Sequence, residues 1–162
     1  MEKKMSIDAM DCKILTLLQQ DASLATVEIA ERVGLSTTPC WRRIQKLEKD
    51  GVIAKRVTLL DRNKLNVGVD VFVAIKSGDH SHDWLEGFAQ AIEGFTEVVE
   101  FYRMSGEIDY LMRVVVPDIA AYDDFYKRLI RRVDMTDVSS SFAMERLKYT
   151  TRLPLNYACQ KG

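Results

Sequence analysis

The chain has 162 residues and a formal net charge of −1, with 47% hydrophobic and 29% charged residues. That size suits one medium domain or two small ones, and the balance is that of a globular protein. No apolar run approaches the roughly 18–20 residues of a bilayer crossing, and the opening MEKKMSIDAMD lacks an apolar signal core, so neither membrane insertion nor export is expected. Three scattered cysteines, Cys12, Cys40 and Cys159, match no disulfide framework and no paired zinc spacing. They read as reduced thiols in a cytoplasm.

The first fifty residues read as helices. Ile7, Met10, Ile14, Leu17 and Leu18 recur at helical spacing and make one apolar stripe. DASLA breaks it. Thr26 can cap a short helix, VEIAERV, with Val27, Ala30 and Val33 facing inward. Gly34 stands where a left-handed residue stops a helix. Ser36 or Thr38 can cap the next helix, Pro39 suits its first turn, and Cys40, Ile44 and Leu47 fall at i, i+4 and i+7 as its buried stripe. Gly51 ends it. VIAKRVTLL then reads as extended chain, and DRNKLN as a polar turn and the domain boundary.

Beyond the boundary the elements are VDVFVAIKS, a strand, and HDWLEGFAQAIEGF, a helix burying Trp84, Leu85, Phe88 and Ile92. TEVVEFYRM and IDYLMRVVV are strands joined through the turn SGE. Asp118 caps a helix that buries Tyr122, Phe125 and Leu129, and DVSSSFAMERLKYT is the last strand. The order β-α-β-β-α-β is the ferredoxin-like split unit, so the fold class is α+β. VFVAI and YLMRVVV are apolar on both faces, while two helices can cover only one face of a four-stranded sheet. A second copy is the simplest cover for the other, which predicts a dimer.

Charge is concentrated in one place. Between Arg32 and Arg56 stand seven bases, Arg32, Arg42, Arg43, Lys46, Lys49, Lys55 and Arg56, against two acids, Glu48 and Asp50. Three short helices, the second and third joined by a tight turn at Gly34, describe a helix-turn-helix. With Cys40, Ile44 and Leu47 inward, the opposite face of the third helix carries Thr38, Arg42, Gln45 and Lys49, flanked by Thr37, Trp41 and Lys46, with Ser36 at its start and Arg43 alongside. Arg pairs with guanine, Gln with adenine, and Thr or an aromatic touches the thymine methyl. The outer bases neutralise phosphates without reading sequence. The plainer alternative, a solvated basic helix, leaves Trp41 unexplained as an exposed aromatic.

The run VEIAERVGLSTTPCWRRIQKLEKDGVI, with its VGLS, TPC and KLEKDG elements, resembles the DNA-binding domain of the Lrp/AsnC (feast/famine, leucine-responsive) transcription regulators. SGEIDYLMRV, VPDIAAYDDF and SFAMERLKYT resemble that family's RAM domain (regulation of amino-acid metabolism). The resemblance implies a winged helix-turn-helix over residues 1–61 including a linking strand, and a βαββαβ domain over 62–162 that binds effector and dimerises. It further implies assembly to tetramers or octamers, a cytoplasmic, nucleoid-associated location, and response to a small amino acid. TTPCW, YRMSGEIDYLMRV and SSSFAMERLKYTT look most like a subgroup that includes cysteine-responsive activators, which makes cysteine a candidate effector.

The resemblance also points to the turn MSGEIDY as an effector site. Ser105, Gly106 and Glu107 can offer backbone N–H groups to a carboxylate, and Asp109 can accept from an ammonium. The last-strand positions that match the family's facing residues are Ser140, Ser141, Phe142 and Ala143, and Ile119 matches a position tied to effector response. An ordinary hairpin turn is the competing reading of SGE. DHSHD, Asp79 to Asp83, holds His80 and His82 but signals no distant third ligand, so a solvated loop is expected and no metal. No Gly-rich phosphate loop, nucleophile elbow or HExxH is present, so no enzyme and no cofactor is expected. The reading is therefore a sequence-specific transcription regulator of amino-acid metabolism. The alternative is a nucleoid-type architectural protein that wraps DNA with weak sequence preference.

Overall fold

A computed structural model describes residues 7–78, 82–133 and 135–159, with His82 and Asp83 described as backbone only. The chain forms two compact units. One is Met1–Thr58 together with Lys148–Gly162, and the other is Leu59–Leu147.

In the first unit, α1 (Ala9–Gln20) starts at a capping box. Asp8 accepts from the Asp11 amide at 2.8 Å, and Asp11 accepts from the Asp8 amide at 3.2 Å, so two otherwise orphaned donors are satisfied. Ile7 lies outside this helix. α2 (Thr26–Val33) begins one residue earlier than expected, with Ala25 at the cap and Glu28 accepting its amide at 2.8 Å. Its buried stripe is Ile29, Ala30 and Val33, whereas Val27 is exposed. The expected stripe was therefore wrong at Val27. In so short a helix Ile29, between the flanking positions, sits closer to the centre of the buried face than Val27 does. Gly34 takes φ 77°, the left-handed conformation that ends α2, and α3 (Thr37–Lys49) follows from Ser36. Its buried residues are Cys40, Ile44 and Leu47. Cys40 and Ile44 pack with Ile14, Ile29, Ala30 and Val33 into the core of the unit. Residues 54–60 run without regular pairing.

Two of the cysteines are not free thiols. Cys12 on α1 and Cys159, at the end of the short α6 (Asn156–Cys159), form a disulfide with a Cα–Cα distance of 6.3 Å. This corrects the expectation of three reduced thiols. The spacing argument compared neighbouring cysteines, whereas the partners are 147 residues apart. Cys40 remains a thiol, buried in the core, and burial pushes its pKa up.

The second unit is a four-stranded antiparallel sheet, β1 (Val69–Lys76), β2 (Val98–Arg103), β3 (Tyr110–Val116) and β4 (Asp137–Phe142), in the order β2-β3-β1-β4. The helices α4 (His82–Glu93) and α5 (Ile119–Ile130) cover one face. Val71, Val73, Ile75, Met112, Val114 and Val116 point to that side and meet Phe88, Ile92, Phe125 and Leu129. Trp84 and Leu85 are only partly buried there. Asp118 caps α5 by accepting from the Ala121 amide at 2.8 Å. β4 stops at Phe142, so Ala143 to Thr150 lie beyond the strand that was expected to continue through them. The opposite face carries Asp70, Phe72, Ala74, Leu111, Arg113 and Val115 by strand alternation, and Phe72 is 40% exposed.

Candidate DNA-reading surface and effector residues

The third helix turns the face opposite its buried stripe outward. Trp41 is 52% exposed, and Ser36, Thr37, Thr38, Arg42, Gln45, Lys46 and Lys49 are exposed with it, while Ile44 and Leu47 are buried. Within this face the side chains are held to different degrees. Gln45 donates to Glu48 at 2.9 Å, and Lys46 lies 3.8 Å from Asp50. Arg43 is set apart from the rest. Its guanidinium donates to Asp8 at 2.6 Å and to Asp11 at 2.7 Å, so it ties α3 to the capping box of α1. The backbone amide of Asp11 and then the Arg43 guanidinium hold the Asp8 carboxyl below its usual range. Arg43 is therefore positioned as a brace of the three-helix unit, and Arg42, beside it in sequence, projects from the open face. The arrangement can place one aromatic, one guanidinium, one amide and a lysine row against a groove.

The residues expected to hold an effector fall into separate places within one chain. Gly106 adopts φ 131° in the β2–β3 turn, with Ser105 and Glu107 exposed beside it. Asp109 accepts from the Ser77 amide at 2.8 Å, and its own amide donates to the Ile75 carbonyl at 3.0 Å. This turn therefore lies at the Ile75 end of β1. Phe142 pairs with Val71, four residues nearer the other end, or about 13 Å along the strand. Ser140 shares a 2.5 Å hydrogen bond with Tyr122, whose phenol pKa burial raises, and Ser141 is exposed. Ala143 donates to the Asp70 carbonyl at 2.9 Å, and Ile119, at the start of α5, is 69% exposed. β1 and β3 separate β4 from β2, so the turn and the last strand do not meet in one chain. In DHSHD, residues 79–81 fall outside the described residues, and His82 and Asp83 are described as backbone only. Among those that are described, no cluster of three or more His, Cys, Asp or Glu could hold a metal, and no helix is long and apolar enough to cross a membrane.

Residues 7–54 match the winged helix-turn-helix DNA-binding family, and residues 70–153 match the Lrp/AsnC ligand binding domain. The chain belongs to the Lrp/AsnC family. It is 50% identical over 150 residues, 92% of its length and 99% of the relative's, to the DNA-binding transcriptional activator DecR of Escherichia coli K12. The crystal structure of an AsnC family transcriptional regulator from Agrobacterium tumefaciens superposes with TM-score 0.91 at 62% identity, covering 93% of this chain and 98% of that one. A transcriptional regulator from Neisseria meningitidis, solved as a complex with L-Met, superposes with TM-score 0.89 at 35% identity over 94% and 99% of the two chains. Like its Lrp/AsnC relatives, the chain is a DNA-binding transcription regulator and not an enzyme.

One constellation in this Lrp/AsnC chain was not anticipated from the residues. Asp70 on β1 is buried, and three guanidiniums converge on its carboxylate: Arg62 at 2.5 Å, Arg113 at 2.9 Å and Arg146 at 3.1 Å. Arg113 also reaches Glu100 at 2.5 Å, and Arg62 donates twice to the Val67 carbonyl. Burial alone would raise the Asp70 pKa, but the Arg62 and Arg113 hydrogen bonds outweigh it and hold the carboxyl low. Arg62 precedes β1 and Arg146 follows β4, so one carboxylate fastens both ends of the sheet unit. The available signal was one acid in VDVFVAI and one base in YLMRVVV, each interrupting an apolar strand.

Proposed function

We propose that this regulator reads operator DNA with α3 and that a small amino acid modulates its DNA affinity or its assembly. The observation that carries the reading is the division of α3, with Trp41, Arg42 and Gln45 exposed and Cys40, Ile44 and Leu47 buried. In this reading Thr37, Thr38, Trp41, Arg42 and Gln45 face bases, Ser36, Lys46 and Lys49 face phosphates, and Arg43 braces α3 against α1 rather than meeting the backbone as expected. Residues 1–61 act as the reading domain and 62–162 as the effector and assembly domain, in a cytoplasmic, nucleoid-associated protein.

The working form is a homodimer or a larger assembly of dimers, built on the sheet face that carries Phe72, Leu111 and Val115. Two reading heads meet half-sites about one helical turn, roughly 34 Å, apart. Ser105, Gly106, Glu107 and Asp109 of one copy, with Ile119 and Ser140 to Ala143 of another, form the effector site. Their separation within a single chain supports this arrangement, and the L-Met complex of the Neisseria regulator supports an amino acid as the ligand class. Cysteine is the first effector to test. A thermal-shift screen of the twenty amino acids tests the ligand class, since a ligand at about a hundred times its Kd adds nearly 3 kcal/mol. Competition of a selected operator against random DNA tests the reading itself. Equal competition by both would favour architectural wrapping instead.

A further inference from the structure

The segment that carries Cys159 is weakly held. α6 has four residues and buries none of them, and Leu153 and Tyr157 are 73% and 84% exposed. A helix that short, with no buried face, does not dock by its own packing. Two ties hold it. The Leu153 amide donates to the Gln19 side chain at 2.6 Å, and Gln19 donates back to the Leu153 carbonyl at 3.2 Å. The second tie is the Cys12–Cys159 disulfide. Cys12 and Gln19 are seven residues apart, so they lie on one face of α1. The segment crosses that face antiparallel to the helix. The two residues differ in exposure: Cys12 is 8% exposed on α1, and Cys159 is half-buried.

We propose that Cys12–Cys159 is a thiol–disulfide exchange site, open to low-molecular-weight thiols and their disulfides, whose oxidised state latches the C-terminal segment onto the reading head. A small thiolate attacks the Cys159 sulfur. The S–S bond breaks, its electron pair leaves on the Cys12 sulfur, which takes up a proton, and a mixed disulfide remains on Cys159. A second thiolate attacks the small-molecule sulfur of that mixed disulfide and releases the Cys159 thiolate. In sum, two small thiols become one small disulfide and the protein gains two electrons and two protons. A small disulfide, acting as the oxidant, drives the same steps backwards. Cys12 directly follows Asp11, which holds Arg43 of the recognition helix, so the latch grips α1 at its brace.

The test uses the full chain equilibrated over a range of cysteine-to-cystine ratios. One sample of each mixture is acid-quenched, denatured and alkylated with iodoacetamide. A second is treated briefly with trypsin in the native state, and cutting after Arg152 is followed by mass spectrometry after reduction. Oxidising mixtures should leave only Cys40 to be alkylated, and reducing mixtures all three cysteines. Cutting after Arg152 should be at least tenfold faster in the reduced chain. Cys159→Ser, a change at a half-buried terminal position, should be cut at the fast rate at every ratio. Three alkylated cysteines at every ratio, a bond found between chains on a non-reducing gel, or the same cutting rate in both states would overturn the proposal.

Discussion

Replacing Asp70 by Asn keeps the shape of the side chain and removes the charge on which three guanidiniums converge. Asn can still accept from one of them through Oδ1, but Nδ2 then faces a second donor. Arg113 keeps Glu100, and Arg62 keeps the Val67 carbonyl. The change therefore forfeits about two charge-assisted hydrogen bonds, each worth roughly 1.5–3 kcal/mol. The arginine side chains are 20%, 17% and 32% exposed, so water recovers part of that loss. The expected cost is about 2–4 kcal/mol. At about 4–8 °C per kcal/mol for a unit of this size, the Tm falls by roughly 8–32 °C.

Acid supplies the sign test. The folded-state pKa of Asp70 lies below the ordinary aspartate value. Its stabilisation is complete above that value and is lost as the pH falls through the folded pKa. Urea melts followed by circular dichroism should therefore separate Asp70→Asn from the parent at pH 7, and the gap should narrow as the pH falls below the ordinary carboxylate range. A loss under about 0.5 kcal/mol at pH 7 would refute the reasoning, as would a gap that acid leaves unchanged.

Arg42→Ala and Gln45→Ala should each cost about 1–3 kcal/mol at one base pair, whereas Lys49→Ala should lower the salt slope by about one with little change in preference. Binding isotherms on operator and random DNA at several salt concentrations check this, and equal losses on both DNAs for all three would count against the assignment. Ile44→Ala, at a position 3% exposed between α1 and α2, should destabilise the reading head by about 2–5 kcal/mol in chemical denaturation. Asp8→Ala removes a cap and one end of the Arg43 brace and should cost about 1 kcal/mol at neutral pH. Because the Asp8 pKa is depressed, that difference should fade as the pH drops through the carboxylate range.

Local signals were legible in the residues where one element decides the outcome. The Cys40, Ile44 and Leu47 stripe, the left-handed Gly34, the Asp118 cap and the βαββαβ order all follow from periodicity, a turn residue or a cap within a few positions. What was not legible depends on distant partners. The Cys12–Cys159 bond joins the first helix to the last, and a prior drawn from cellular compartment pointed away from it. The Asp70 cluster needs strand order and register before Arg62, Arg113 and Arg146 can be seen to share a carboxylate. The effector residues were grouped by the family resemblance alone, and the strand order β2-β3-β1-β4 parts them within one chain. The end of β4 at Phe142 was missed because apolar and polar residues go on alternating through SFAMERLKYT.

The two tryptophans fall one in each compact unit. Trp41 stands exposed beside Arg42, and Trp84 packs against Phe88 and Tyr110 with ring centroids 5.0 and 5.3 Å away. The molecule thus carries two tryptophan fluorophores in unlike surroundings, one exposed and one partly buried among aromatic rings. With Trp84→Phe, emission reports nucleic acid arriving at α3; with Trp41→Phe, it reports changes in the sheet unit. The two events can be timed separately in a stopped-flow cell without attaching a dye.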